Sequence, residues 1–433
     1  MQSHTGYRAE IDGLRAIAVL AILLHHAGVA GLPGGYLGVD IFFVISGYVI
    51  TRLIRAEMAA GTFTFTGFYR RRARRILPAL AVLLLVCVPL GWFLLSPRQL
   101  TEFLETSIGA ALMVPNFVLW GQAGYFAQES ATRPLLHLWS LGVEEQFYLL
   151  FPLLMWAFWR GGVGDRATRW ALRGLGLVSL GLAAWAVVVA PSAGFFLLPS
   201  RIWELTLGAG AALTVWSPGL RARQIWSLVG IALIGVSFLI YGPRSPGPAT
   251  LPPVLGAALC LMVARGDTWV GRGLAWRPLV AVGLISYGTY LWHWPLLVFV
   301  RITLAEDPAL IWRLGLMVVA LGLGWASWRF VEQPFRRSDR PLWPRAGAGT
   351  GLATMAGIAL LAGAALWAEG RGLRQMTWPG FQPDELAALN KRRAVLVRDG
   401  ICHFPDSTMD FATFRAGWNC LGQPVDGARP WPV

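Results

Sequence analysis

Long apolar segments recur along this chain and limit its fold more than any other feature. A membrane-spanning helix needs roughly 17 to 25 mostly apolar residues. Segments of this kind begin near residues 11, 37, 76, 139, 170, 198, 225, 251, 278, 309 and 347. Only 14% of the 433 residues are charged, whereas about 25% are charged in an ordinary soluble domain. The pattern predicts an all-α fold, a polytopic transmembrane helix bundle of about eleven spans.

The formal net charge of +14 would suggest a nucleic-acid partner in a soluble protein. In membrane proteins, however, arginine and lysine concentrate in the cytoplasmic loops. With eleven spans and a cytoplasmic N-terminus, the cytoplasmic loops hold roughly 19 arginines and the opposite loops about four. The charge therefore predicts this orientation, an extracytoplasmic C-terminus and contacts with membrane lipids, with no nucleic-acid partner.

A twelfth apolar segment, residues 101–120, is interrupted by Glu102, Glu105, Pro115 and Asn116. Counting it as a span would place every later arginine-rich loop on the wrong side of the membrane. We therefore predict a re-entrant or interfacial helix there.

The segments divide the chain into three parts. Residues 1–345 form a membrane domain of ten spans plus the re-entrant or interfacial helix, residues 346–368 form the eleventh span, and residues 369–433 form an extracytoplasmic tail. Cys402 and Cys420 lie in this tail, where an oxidising compartment favours a disulfide. Two free thiols are the alternative.

Ionisable side chains in the first span are the strongest candidates for function, because such groups are costly inside a membrane. The step from Arg15 to His26 is eleven residues, which ends about 20° beyond three full turns and about 16 Å along the axis. Both side chains therefore share one helix face, whereas His25 points elsewhere. Histidine can act as a general base and arginine can bind phosphate. The structural alternative is a buried Asp12–Arg15 pair and a histidine that only bonds a neighbouring helix.

A second cluster lies between Phe68 and Pro78, where five arginines include Arg71, Arg72 and Arg75. They could bind the phosphates of an anionic cofactor or, equally, anchor the helix at lipid headgroups.

Further polar clusters lie at other helix ends. His137, Ser140, Glu144 and Glu145 face outward at a helix entrance, where they would bind a hydroxylated substrate, with helix capping as the alternative. His293 joins them as a candidate substrate-binding residue. Arg201 and Glu204 lie one turn apart and are predicted to form a structural pair. Structural roles are also predicted for Arg329 and Glu332.

Several catalytic patterns do not occur in the sequence. It contains no phosphate-binding P-loop, no H-E-x-x-H motif and no His/Cys cluster with metal-ligand spacing. We therefore expect no metal and no permanently bound cofactor.

The ordered motifs of this chain resemble those of the acyltransferase-3 family of bacterial membrane acyltransferases. The resemblance covers about residues 7 to 337. It is carried by the segments Tyr7-Arg8-x-x-Ile11-Asp12-Gly13-Leu14-Arg15-Ala16, Gly34–Tyr48, Phe68–Pro78, Leu135–Tyr148, Arg201–Glu204, Tyr287–Pro295 and Arg329–Phe335. Within the family it most resembles the subgroup that O-acetylates surface polysaccharides, best known for lipopolysaccharide O-antigen.

The resemblance implies a location in the bacterial inner membrane and a reaction. Acetyl from cytoplasmic acetyl-CoA would cross the membrane to a polysaccharide or lipid-linked glycan on the periplasmic side. The family's Arg-x10-His pair corresponds to Arg15 and His26, and its Arg-x-x-Arg motif to Arg72 and Arg75. This implies that His26 is the catalytic base or acyl relay, and that Arg15 and the Arg72/Arg75 pair contact the phosphates of acetyl-CoA.

The last span and tail resemble family members that continue into a periplasmic SGNH-type domain, which opens with a Gly-Asp-Ser motif. That motif does not occur in these 433 residues. We therefore expect this chain to be the membrane part of a two-domain acetyltransferase, with the SGNH domain acting in cis or in trans. The main alternative is a transporter or flippase for an anionic lipid-linked substrate, and a third is a membrane sensor.

Overall fold

The computed structural model describes residues 7–123, 130–242, 247–304, 307–336 and 348–371. These residues form helices and no strand, so the predicted all-α class is confirmed for them. The helices are α1 (Ala9–His26), α2 (Gly38–Ala59), α3 (Phe65–Leu94), α4 (Pro97–Ala111), α5 (Pro115–Gly121), α6 (Trp139–Arg160), α7 (Asp165–Val189), α8 (Pro191–Phe196), α9 (Ile202–Leu213), α10 (Leu220–Ile240), α11 (Leu251–Val263), α12 (Trp269–Leu274), α13 (Arg277–Leu304), α14 (Leu310–Ala326), α15 (Gln333–Arg336) and α16 (Ala348–Gly370), with a π-helical segment, Ser327–Glu332, between α14 and α15.

Among the described residues, six helical segments are long and apolar enough to cross a membrane. They are Gly35–Ala59, Phe65–Leu94, Asp165–Val189, Leu220–Ile240, Leu310–Arg336 and Gly351–Gly370. The other five predicted spans also form helices, but α9 and α11 contain only 12 and 13 residues. A helix of that length covers about 20 Å, less than the roughly 30 Å of a hydrocarbon core. The chain is thus a multi-pass membrane protein, and the number eleven stays a prediction.

The interrupted apolar segment 101–120 belongs to two helices, α4 and α5, rather than to the single helix we predicted. Ser96 caps α4 through a reciprocal capping box with Gln99. The helix stops before Met113, whose φ of 62° is incompatible with continuation, and Pro115 starts α5. Within the described residues, α4 and α5 do not form one continuous span. The re-entrant or interfacial position of this segment stays a prediction.

The arginine cluster lies on a helix and not in the loop before it. The side chain of Thr64 accepts a hydrogen bond from the Gly67 N–H, so α3 begins at Phe65, eleven residues before the predicted span. Arg72 and Arg75 are therefore three residues apart on one helix and share a face.

Two helix crossings bring the candidate residues together, and both depend on glycine. A Cβ added to Gly208 on α9 would lie 2.0 Å from the Val44 carbonyl oxygen on α2, and one added to Gly283 on α13 would lie 1.9 Å from the Asp12 carbonyl oxygen on α1. Glycine at a helix crossing allows such close backbone approach. The first crossing places α2 directly beside α9, and the second places α13 directly beside α1.

The predicted Cys402–Cys420 disulfide and most of the predicted tail lie outside the described residues. Cys87 and Cys260 are buried free thiols, as expected for cysteines within apolar helices.

Candidate active site

Helix α1 carries the Arg15 and His26 pair, and the crossing at Gly283 holds it against α13. Arg15 Nη1 lies 3.5 Å from Asp12 Oδ1, so the side chains predicted to pair are in contact. The Tyr7 hydroxyl donates to Asp12 Oδ2 at 2.9 Å. Asp12 therefore anchors the start of α1. The other guanidinium nitrogens of Arg15 form no hydrogen bond with the described residues.

A cavity runs between α1, α2, α3, α6 and α13. Its empty volume is about 900 Å³, including the opening to solvent, and its polar lining includes Arg15, Arg72, Arg75, Glu144, Tyr148 and Tyr290. Three of the predicted arginines therefore reach one cavity, although Arg15 on α1 and Arg72 on α3 are 57 residues apart in the chain.

Arg72 and Arg75 line this cavity without a direct hydrogen-bonding or ion-pairing partner in the described part of the chain, although carboxylates lie within electrostatic range of both. Within the described residues neither forms a hydrogen bond or an ion pair, and the Arg72 guanidinium lies 6.0 and 5.9 Å from the ring centroids of Phe68 and Tyr148. Aromatic faces orient a cation without neutralising it. These guanidinium groups are available to an anion.

Arg71 does not join them, contrary to the prediction that it binds the cofactor. One residue along a helix rotates a side chain by about 100°, so Arg71 points outward and pairs with Glu57 at 2.6 Å.

The outward-facing cluster predicted on α6 is divided in the structure. Glu144 lines the arginine cavity, where it accepts hydrogen bonds from the Ser46 hydroxyl at 2.8 Å and the Tyr148 hydroxyl at 3.1 Å. Oε1 of Glu145 is buried without a partner within the described residues. His137 lies seven residues earlier, about 10 Å along the helix direction. Glu145 lies within electrostatic range of Arg72, so both carboxylates belong with the arginines and not with His137.

Three histidines form a compact cluster beside the cavity. His26 Nδ1 lies 3.0 Å from His293 Nε2, and the two rings are nearly parallel, with centroids 5.2 Å apart and an interplanar angle of 7°. The His137 ring meets the His293 ring edge-on at 5.6 Å, and the Trp294 ring lies 4.6 Å from His26. The structure therefore joins His26 to His293 and His137, for which the sequence predicted only separate roles in substrate binding.

Tyr290 connects this cluster to the cavity, because it lines the cavity while its ring lies 5.3 Å from that of His293. Its hydroxyl donates to the His137 carbonyl oxygen at 2.8 Å and lies 2.7 Å from the Ser140 hydroxyl. The histidine cluster therefore lies directly behind Tyr290, which separates it from the cavity that the arginines line.

The residues predicted to be structural fall into two groups. Arg201 Nη1 contacts Glu204 at 3.2 Å as predicted, and also Asp40 at 2.9 Å. Sequence reasoning missed Asp40 as the partner, although a carboxylate in an apolar segment was a usable signal.

Arg329 and Glu332 are separated from each other. Arg329 is exposed and covers the Phe330 ring at 5.6 Å. Glu332 is only 2% exposed, its carboxylate lies within electrostatic range of Arg75 and Arg336, and its Oε1 has no hydrogen-bond partner in the described part of the chain. The π-helical segment sets this geometry, since it changes the angular spacing of the two side chains.

Comparison with known proteins places this arrangement in a family. The model of the acyltransferase-3 family, described as an acyltransferase domain, matches residues 8–329. The chain is 32% identical over 351 residues to the O-acetyltransferase OatA of Staphylococcus aureus (strain NCTC 8325 / PS 47), covering 76% of this chain and 57% of that protein. It is 30% identical over 355 residues to the peptidoglycan O-acetyltransferase OatA of Listeria monocytogenes serovar 1/2a (strain ATCC BAA-679 / EGD-e), covering 77% and 56%.

The chain thus spans little more than half the length of these curated relatives. No solved structure matches it. The family model covers most of the chain and all of the cavity-lining residues. The chain therefore belongs to the acyltransferase-3 family, as its ordered motifs indicated.

Proposed function

We propose that this protein is a membrane O-acyltransferase that takes acetyl from cytoplasmic acetyl-CoA and passes it across the bacterial inner membrane to a hydroxyl of a surface polysaccharide. One observation carries this proposal. Arg72 and Arg75, which form no ion pair within the described residues, line the same cavity as Tyr290, and the Tyr290 ring contacts His293, the hydrogen-bond partner of His26. Tyr290 thus links an anion-binding cavity to a cluster of basic histidines beside it.

The arginine end of the cavity suits the phosphates of acetyl-CoA. Guanidinium groups bind phosphate oxygens through paired, charge-assisted hydrogen bonds. Arg72 and Arg75 supply these donors from α3 and Arg15 supplies them from α1. The arginine-rich start of α3 would then face the cytoplasm, in agreement with eleven spans, a cytoplasmic N-terminus and a periplasmic C-terminus.

The histidine cluster beside the cavity suits the transfer itself. The acceptor hydroxyl oxygen forms a bond to the acetyl carbonyl carbon, the carbon–sulfur bond breaks, and His26 carries the hydroxyl proton to the departing thiolate. In the two-step version, a ring nitrogen of His26 first takes the acetyl group from the thioester and then gives it to the hydroxyl. Both versions need an activated thioester and a lone pair on His26, and neither needs a metal.

The acceptor belongs to the surface polysaccharides. The sequence motifs favour lipopolysaccharide O-antigen, whereas the Listeria relative is named a peptidoglycan O-acetyltransferase. Incubating membranes with labelled acetyl-CoA and each purified glycan would separate the two. A periplasmic SGNH domain, in cis or in trans, would complete the transfer to sugar.

The direct test is transfer of labelled acetyl from acetyl-CoA by the purified protein in detergent or liposomes. We expect His26→Ala to lower the rate by about 10² to 10⁴, the usual contribution of a positioned base. His25→Asn is the matched control, since the asparagine amide can keep the hydrogen bond of His25 Nδ1 to the Leu32 carbonyl oxygen. This variant should keep most of the activity.

A transporter or flippase for an anionic lipid-linked substrate is the second candidate, because the same cavity and arginines could bind such a molecule. It predicts transport without consumption of the thioester. If acetyl-CoA neither binds to the purified protein nor loses its acetyl group, the acyltransferase proposal is wrong and the transporter remains.

A further inference from the structure

Hydrogen bonds to carbonyl oxygens determine which ring nitrogens carry hydrogen in the histidine cluster. A carbonyl oxygen can only accept, so the nitrogen that faces it must bear the hydrogen. His293 Nδ1 lies 2.6 Å from the Tyr290 carbonyl oxygen. Neutral His293 therefore carries its hydrogen on Nδ1, which leaves Nε2 as an acceptor.

The same reasoning extends to His26. Its Nδ1 lies 3.0 Å from the Nε2 of His293, and because that Nε2 is an acceptor, His26 Nδ1 must be the donor. Neutral His26 then has its free lone pair on Nε2. A cationic His293 would reverse these roles, but this side chain is fully buried and no carboxylate pairs with it within the described ranges. An uncompensated buried charge is strongly unfavourable.

We propose that His293 is a positioning residue that holds His26 in the tautomer whose Nε2 is the reactive base or nucleophile. The inference rests on the proposed acyl transfer and deepens it by naming the reacting atom. It also replaces the predicted role of His293 in binding substrate, since both of its ring nitrogens are engaged within the protein.

The step can be followed atom by atom. His26 Nε2 accepts the proton of the acceptor hydroxyl as its oxygen bonds to the acetyl carbon and the carbon–sulfur bond breaks. The resulting imidazolium is stabilised because its Nδ1–H already points at the lone pair of His293. The proton then leaves Nε2 for the thiolate, which restores the starting tautomer. In the two-step version the same lone pair bonds to the acetyl carbon as the carbon–sulfur bond breaks; the acceptor oxygen then bonds to that carbon as the carbon–nitrogen bond breaks, and the hydroxyl proton goes to the thiolate.

Two substitutions of similar polarity separate this role from a purely structural one. The glutamine amide can occupy the place of the imidazole Nε2, so His293→Gln keeps an acceptor for His26. The asparagine amide reaches only the place of Nδ1, so His293→Asn keeps the bond to the Tyr290 carbonyl oxygen and loses the one to His26. We expect His293→Asn to lower the rate of acetyl transfer about 100-fold with the KM for acetyl-CoA within about twofold. His293→Gln should stay within about tenfold of the unchanged protein.

Nitrogen NMR of the full chain labelled with ¹⁵N-histidine gives a readout that needs no activity. The His26 signals are identified by their loss in His26→Gln. We expect hydrogen on Nδ1 of His26 in the unchanged protein and in His293→Gln, and a shift of population to the Nε2–H tautomer in His293→Asn. Size-exclusion profiles and thermal unfolding midpoints establish that each variant is folded.

Several outcomes would overturn the inference. Hydrogen on Nε2 of His26 in the unchanged protein would contradict it directly, and so would equal transfer rates for the asparagine and glutamine variants. If the NMR spectra behave as expected but the unchanged protein transfers no acetyl group, the proposed function fails while the tautomer assignment stands. If His293→Asn does not fold, the spectrum of the unchanged protein still decides.

Discussion

Two groups of arginines lie inside this helix bundle, and they differ in what surrounds them. Arg201 is 2% exposed, contacts both Asp40 and Glu204, and lies 4.9 Å from the Trp139 ring centroid. Arg72 and Arg75 line a cavity and pair with no carboxylate in the described part of the chain. A charge in a membrane bundle is costly. Whether its compensation comes from protein or from a ligand therefore separates a structural arginine from a binding arginine.

The largest expected effect concerns Arg201, the arginine that pairs with carboxylates of the protein. Arg201→Leu leaves two buried carboxylates without their cation and should lower the free energy of unfolding by about 3–5 kcal/mol. Arg72→Leu removes a guanidinium that forms no ion pair within the described residues, where Glu145 lies only within electrostatic range, and it should cost less than about 1 kcal/mol. Unfolding by SDS titration, followed by tryptophan fluorescence, measures both. Equal losses would show that the two groups do not differ as we describe.

The second prediction concerns the crossing that holds Asp40 and Glu204 together. In Gly208→Ala the new methyl group would meet the Val44 carbonyl oxygen, so we expect a loss of about 1–3 kcal/mol in the free energy of unfolding. Gly210, on the same helix, has nothing within 4 Å of an added Cβ. Gly210→Ala should therefore be neutral or stabilise the protein by up to about 1 kcal/mol. Similar stability of the two variants would mean that α2 and α9 do not pack this closely.

The third prediction concerns Arg72 and Arg75, the arginines that line the cavity. Arg72→Gln and Arg75→Gln should each weaken acetyl-CoA binding about tenfold, or about 1.4 kcal/mol, because each removes a charge-assisted hydrogen bond to phosphate. Arg71→Gln serves as the control from the same cluster and should change the Kd by less than about twofold. Isothermal titration calorimetry gives the three constants. An equal effect of all three substitutions would indicate only a general surface charge.

The smallest expected effect concerns Glu332, whose carboxylate lies near Arg75. Glu332→Gln removes a competing negative charge from the anion site and should strengthen acetyl-CoA binding about two- to threefold. In the Arg75→Gln background the gain should disappear, as a double-mutant cycle would show. Weaker binding in the single variant would mean that Glu332 supports the site and does not compete with the ligand.

Local patterns predicted the helices well and placed Arg15 and His26 on one helix, because a run of apolar residues and a 3.6-residue repeat are properties of one segment. They failed at Arg71, where the start of α3 was placed too late and the direction of each arginine was therefore unknown. They also failed at Glu144 and Glu145, which were assigned to the same outward cluster as His137.

The sequence by itself determined the helical class, the membrane setting and the family, since these follow from composition, periodicity and ordered motifs. Only the tertiary structure decided which charges are compensated and which nitrogens meet. Asp40 and Arg201 are 161 residues apart in the chain, and His26 and His293 are 267 apart. No local pattern encodes such pairs. Such pairs form where glycines allow helix backbones to approach closely, and this packing brings the two side chains within hydrogen-bonding distance.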